Sequence, residues 1–299
     1  MNRKLAYTVY RPEGKVKAAV FIVHGMQEHQ RRYKDFAEYL TTRGIGVVTY
    51  DLPGHGETDK GSTRGWFGNE NGWRNLASSL TEICLLTKQE FPGVPVVCYG
   101  HSMGTMLART FIQLHDAMID ALMLSGAPNY NPAASFGRAI ANQRIRARGP
   151  RSESAMLASL ATGSFNSGIR NPRTPLDWLS YNEENVDRYI ADEDCGFTFK
   201  NSGYRDLFDG MIQMADVKAF RRLNKNLPIR FFSGEDDPCT GGAKGISDSI
   251  ARLSRAGYID ITYKTYPHMR HEILQEDDRA TVYKDMADWI LEKTAPEKA

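Results

Sequence analysis

Short apolar runs separated by amphipathic stretches fill the first part of the chain and return near its end. Residues 5–10 (LAYTVY) alternate apolar and polar positions and predict an antiparallel edge strand with one wet face. Residues 18–23 (AAVFIV) are apolar without interruption, the mark of a strand covered on both faces. Residues 46–51, 95–100 and 121–126 predict further strands. Between them, 33–42 carries a helical pattern that stops at Gly44. Residues 71–90 place Trp73, Leu76, Ala77, Leu80, Ile83 and Cys84 on one helical face, and 103–115 reads as a helix packed behind the strand before it. Such alternation implies a mostly parallel sheet with helices on both faces.

The rhythm breaks after residue 128. From 129 to 226 no buried strand run occurs, and the segment is rich in Arg, Asn, Ser and aromatic residues, with helical fragments at 154–161 and 185–191. The rhythm resumes with a strand at 228–234, a helix at 243–255, a strand at 260–266 and a last helix at 280–292. The expected architecture is a sheet core of residues 1–128 and 227–299, split by an insertion at 129–226. That insertion far exceeds an ordinary connection and is expected to fold as a helical lid. The tail, 294–299, is expected to fray.

Composition narrows the class. The chain has 299 residues, 41% hydrophobic and 25% charged, the balance of a soluble globular protein. A chain of this length buries enough surface to need no disulfide or metal staple. A formal net charge of +2 gives no argument for a nucleic-acid partner, and no nucleic-acid-binding motif is present. The opening residues lack the apolar run of a signal peptide, and no stretch has the length of a transmembrane segment. A cytoplasmic protein is expected. Cys84, Cys98, Cys195 and Cys239 show neither CxxC pairing nor zinc-like spacing with histidine, and are expected to be free thiols.

Candidate chemistry begins at Gly100-His101-Ser102-Met103-Gly104, a G-x-S-x-G sequence between a predicted strand and a predicted helix. A serine on that sharp turn stands clear of the sheet at a helix N-terminus, where free N–H groups and the helix dipole favour an oxyanion. The plainer alternative is a glycine-rich strand–helix turn with an incidental serine. A serine hydroxyl needs a base held by an acid. In the α/β-hydrolase fold the chain order is Ser, then Asp or Glu, then His. Here Glu235-Asp236-Asp237 follows one later strand, and His268 and His271 follow the next. Both lie just past strand C-terminal ends, where open sheets place their sites. Each carboxylate alone also suits a turn or helix cap, and each histidine a structural role. One oxyanion donor in this fold is the N–H after the nucleophile, and the other comes from a loop after an early strand. His24-Gly25-Met26 follows such a strand, which assigns the backbone N–H groups of Met103 and Met26. His24 and His29 are expected to brace this loop, and His55, in the turn of 51–56, to be structural.

The segments HGMQEH (24–29), DLPGHG (51–56), GHSMG (100–104), SGEDDP (233–238) and YPHMRHEIL (266–274) occur in the order found in one group of hydrolases. In them the chain resembles the monoacylglycerol lipase and lysophospholipase branch of the α/β-hydrolases, whose members are often called serine aminopeptidase-like. The likeness runs through almost the whole sheet core and covers the insertion only by general pattern. It implies Ser102 as nucleophile, Asp237 as acid because it stands three residues after Gly234, and His271 as base within MRHE. His268 stands where the family more often has glycine. The resemblance further implies Met26 and Met103 as oxyanion donors and a helical lid that shapes an acyl pocket.

The expected chemistry is hydrolysis of a small, lipid-like ester through an acyl-enzyme, with no metal or organic cofactor. An amidase or aminopeptidase on the same triad is the second expectation, and a non-catalytic binding protein on the fold the third. Residues 136–151 hold Arg138, Arg144, Arg146, Arg148 and Arg151 among Phe136, Ile140 and Ile145. This reads first as a solvated basic helix and loop, and second as a surface for peripheral contact with a membrane or anionic head group. Trp178, Tyr181, Phe197 and Phe199 suit either an apolar cleft or the lid's own core.

Overall fold

A computed structural model describes residues 4–60 and 64–296. Within them the chain opens with β1 (Tyr7–Tyr10), β2 (Ala18–Val23), α1 (Lys34–Thr42), β3 (Ile45–Tyr50), α2 (Gly72–Glu90), β4 (Val96–His101), α3 (Met103–His115) and β5 (Ala121–Ser125). Then come α4 (Ala134–Arg148), α5 (Ala155–Thr162), α6 (Glu183–Ala191) and α7 (Asn201–Met214) with no strand among them. The chain closes with β6 (Ile229–Gly234), α8 (Gly242–Ala256), β7 (Ile261–Tyr266) and α9 (Arg279–Lys293). The predicted tail ends in residues 297–299, which lie outside the described ones.

The described strands form one sheet in the order β1-β3-β2-β4-β5-β6-β7. Only the pairing of β1 with β3 is antiparallel. The alternation of β2 divides the core. Ala19, Phe21 and Val23 face a cluster with Leu76 and Leu80 of α2 and Leu107 and Phe111 of α3. Ala18, Val20 and Ile22 face Phe36 and Leu40 of α1 and Met286 and Ile290 of α9. Each of the larger side chains withdrawn from water (Val, Ile, Leu, Phe or Met) contributes about 1.5–3 kcal/mol before entropy is counted, so neither face of β2 is dispensable. This is the α/β-hydrolase fold.

The sheet passes directly from β5 to β6, pairing Leu122 with Ile229, while the chain between them makes the α4–α7 excursion. Parallel strands put all their C-terminal ends on one rim. The loops that carry Met26, Ser102, Asp237 and His271 therefore start from that rim, after β2, β4, β6 and β7. Among the described residues, no helix is long and apolar enough to cross a membrane. All four cysteines are free thiols.

Candidate active site

Ser102 sits between the end of β4 and the first turn of α3 with φ 51° and ψ −119°. A non-glycine residue there stores about 1–3 kcal/mol of strain, and the surrounding structure has to hold it. The Ser102 N–H donates to Ser125 O at 2.9 Å, and its own carbonyl accepts from Thr105 N–H at 2.9 Å and from the Thr105 hydroxyl at 2.7 Å. The turn needs a residue without a side chain at Gly104, where a methyl group would lie 2.1 Å from Val23 O and 2.7 Å from His24 O. Gly104→Ala is therefore expected to lower stability by about 1–3 kcal/mol through forced backbone movement, read as a lower urea midpoint. An unchanged midpoint would refute this close approach of α3 to the loop after β2.

Asp237 and His271 meet across two loops. His271 Nδ1 lies 3.0 Å from Asp237 Oδ2, and both side chains are buried. The other oxygen, Asp237 Oδ1, accepts the Cys239 N–H at 2.8 Å. An acid after a strand can cap a turn or hold a histidine, and Asp237 does both, one with each oxygen. Its neighbours point elsewhere. Asp236 is exposed and accepts the Tyr181 hydroxyl at 3.0 Å, and Glu235 is exposed beside Thr265. His268 is exposed as well and stacks on Tyr181, with ring centroids 4.1 Å apart.

Ser102 and His271 flank one short piece of backbone. Ser125 O binds the Ser102 N–H, and a methyl group on the next residue, Gly126, would lie 2.9 Å from Cε1 and Nδ1 of His271. His101 spans the same place, with its ring 4.7 Å from that of His271. Burial pushes His101 down to about 4, and a protonated His271 would repel its charge further, so His101 stays neutral. His271 moves the other way. Burial works against its cation, but the carboxylates of Asp237, Glu272 and Glu28 outweigh burial and raise its pKa above the ordinary 6.5.

Met26 and Met103 line, together with Ser102, a cavity of about 140 Å³. Its far wall comes from the insertion and includes Phe136, Leu160, Phe165 and Phe208. The loop that holds Met26 is tightly fixed. A methyl group on Gly25 would lie 3.1 Å from Ser102 Cβ, which shows how near this loop passes. Glu28 accepts the Gly25 N–H and the Tyr33 hydroxyl, and it pairs with Arg32 at 2.9 Å. Burial opposes the Glu28 charge, yet Arg32, His101 and His24 hold its pKa at about 2. Arg32 then reaches Glu272, beside His271, at 2.5 and 2.8 Å. One largely covered guanidinium, 11% exposed, thus ties the loop of Met26 to the loop of His271. Sequence reasoning did not single out Arg32; the only signal was its i,i+4 spacing from Glu28.

Three other histidines, His24, His29 and His55, sit in or against loops. His24 Nε2 accepts the Leu52 N–H at 2.9 Å. His29 Nε2 lies 2.8 Å from Asp192, between the core and the segment after α6. His55 is stacked on Phe67 and packed edge-on against Phe197 and Phe199. Among the described residues, two groups bring ligand-type atoms within 4.8 Å of one another, His29–Asp192–Cys195 and Asp237–Cys239–His271. In both, the carboxylate already pairs with the imidazole, and burial pushes the thiol pKa upward, which opposes the thiolate a metal would take.

The sequence profile of the family described as "Serine aminopeptidase, S33" matches residues 14–278. The chain belongs to that family. It is similar to a monoacylglycerol lipase of Mycolicibacterium smegmatis, 23% identical over 293 residues that cover 96% of this chain and 93% of that one. It is similar to the monoglyceride lipase of Homo sapiens, 23% identical over 299 residues that cover 96% and 86% of the two chains. Among solved structures, a thermostable carboxyl esterase from Bacillus coagulans in complex with glycerol superposes with a TM-score of 0.87 at 24% identity, covering 98% of this chain and 96% of that one. A soluble variant of the Saccharomyces cerevisiae monoglyceride lipase superposes at 0.73 with 20% identity, covering 99% and 94%. These structures share the fold of this S33 member.

Proposed function

We propose that this S33 member hydrolyses carboxylic esters of single-chain lipids, of the monoacylglycerol or lysophospholipid kind, through Ser102, His271 and Asp237. At the coarser level the chain is a serine ester hydrolase. One observation carries the finer reading. A serine held at a strained strand–helix turn faces an apolar cavity beside a buried histidine–carboxylate pair. The names of the relatives, monoacylglycerol and monoglyceride lipase, support the substrate class.

In this mechanism Ser102 Oγ attacks the ester carbonyl as its proton passes to His271 Nε2. Asp237 Oδ2 accepts the Nδ1–H, fixes the tautomer and stabilises the imidazolium. The backbone N–H groups of Met26 and Met103 receive the oxyanion. The imidazolium then protonates the leaving alcohol, and water releases the acyl group with His271 again as base. The acyl chain occupies the cavity between Met106 and Phe208, under a lid formed by residues 129–226. Phe136 and Leu160 are exposed at its wall, which gives a lipid surface an apolar place to deliver substrate.

A hydrolysis panel tests the substrate class: monoacylglycerols of several lengths, lysophospholipids, short synthetic esters and aminoacyl amides, with the lipids offered in vesicles. Monoacylglycerols or lysophospholipids are expected to lead. Preference for the amides would overturn the ester reading and favour the peptidase sense of the family's description. The pH dependence follows from His271. Its neutral form is the base and its pKa is raised, so kcat/KM is expected to fall as pH drops through a value above 6.5. An acidic limb well below 6.5 would contradict the pairing with Asp237.

A further inference from the structure

The helical insertion supplies part of the seat of His271. A 3-10 turn, Asp177–Leu179, lies between α5 and α6. Its central residue, Trp178, is buried with its indole against the His271 imidazole, ring centroids 4.9 Å apart and planes at 43°. The backbone on either side of Trp178 binds the residues on either side of His271. Leu179 O accepts the Glu272 N–H at 2.8 Å. Arg270 donates to Asp177 O at 2.7 Å and to Ser180 O at 3.2 Å. Trp178 is itself fixed, since its backbone N–H donates to Asn166 Oδ1 at 3.0 Å and Phe165 packs on its ring with centroids 4.8 Å apart.

We propose that Trp178 is a positioning residue for the reaction, its indole holding the His271 ring in place and stabilising the imidazolium formed when Ser102 gives up its proton. The inference rests on the reading of His271 as the base. An indole is the best of the aromatic faces for a cation within about 6 Å of its centroid, and the effect grows when water is excluded. Among the described residues, the charged and titratable groups facing His271 include Asp237 and Cys239 from the loop after β6, Glu272 from its own loop, Glu28 from the loop after β2 and His101 from the end of β4. Trp178 carries no charge, so it favours the cation without competing for the Nδ1 proton that Asp237 holds. This edge of the insertion is therefore part of the fixed catalytic frame.

The test compares Trp178→Leu and Trp178→Phe with His271→Ala, on a soluble short-chain ester across a pH series. Trp178→Leu is expected to lower kcat by roughly 3- to 30-fold with little change in KM. A destabilised imidazolium has a lower pKa, so the acidic limb of kcat/KM should also move to lower pH. A residue that merely fills space would not move the limb that way. Trp178→Phe should displace the limb in the same direction by less. If Leu disrupts folding, as read by circular dichroism, the Phe variant decides, and a limb coincident with wild type overturns the proposal. Variants equal to wild type in rate and limb, beside an inactive His271→Ala, would overturn the role of Trp178 and leave the base in place. An active His271→Ala would overturn both.

Discussion

Ser102→Ala is expected to lose turnover by roughly 10⁴-fold or more and to lose labelling by a fluorophosphonate probe altogether. The substitution deletes one oxygen. It leaves the N–H bond to Ser125 O and the carbonyl bonds from Thr105 intact. The backbone at φ 51° has to be held in either case, so the variant should fold, with a denaturation midpoint near that of wild type. What disappears is the one protein atom in the proposal that forms a bond to the ester carbon. The residual rate measures what the cavity and the N–H groups of Met26 and Met103 do without a nucleophile. Undiminished labelling of the alanine variant would move the nucleophile to another residue and remove the reason for assigning these oxyanion donors.

The inner strands of the sheet were legible because β2 to β5 are buried on both faces and appear as largely apolar runs, while the edge strands β1 and β7 keep exposed positions. Residues 18–23 and 103–115 are read with the bounds that the structure has. The family was legible from five short segments in fixed order, since each sits on the rim where loop residues answer to chemistry more than to packing. The insertion was harder. Helix α7 has Tyr204, Leu207, Phe208 and Met211 at helical spacing, but Gly203 and Gly210 interrupt the pattern and read as breakers. Gly210 is there for contact: a methyl group would lie 2.4 Å from the Trp73 indole, so α7 sets its backbone against α2. Trp178 stood among several aromatic residues of equal standing. Its contact with His271 joins residues far apart in the chain, and a single sequence carries no trace of it. The choice between Asp236 and Asp237 has the same origin. Their chemistry is identical and their positions adjacent; only the path of the loop after β6 makes one exposed and the other buried.

That difference sets the second large effect. Asp237→Asn should lower kcat/KM by about 10⁴-fold, while Asp236→Asn should change it less than about threefold. The reason lies in the double use of Asp237. Its Oδ1 accepts the Cys239 N–H, a bond that an asparagine can keep only by turning its own oxygen that way. The amide nitrogen then faces His271 Nδ1 at the position of Oδ2. Being a donor, it makes Nδ1 the acceptor and drives the ring proton to Nε2. A histidine protonated at Nε2 cannot take the Ser102 proton. The geometry survives and the base is lost, so folding should change much less than rate. At residue 236 an asparagine oxygen still accepts the Tyr181 hydroxyl in water, and nothing at His271 changes. Steady-state kinetics of the two variants on one short ester is sufficient. A large loss in Asp236→Asn with near-normal rates in Asp237→Asn would reassign the acid and leave the buried Asp237–His271 contact as a structural bond.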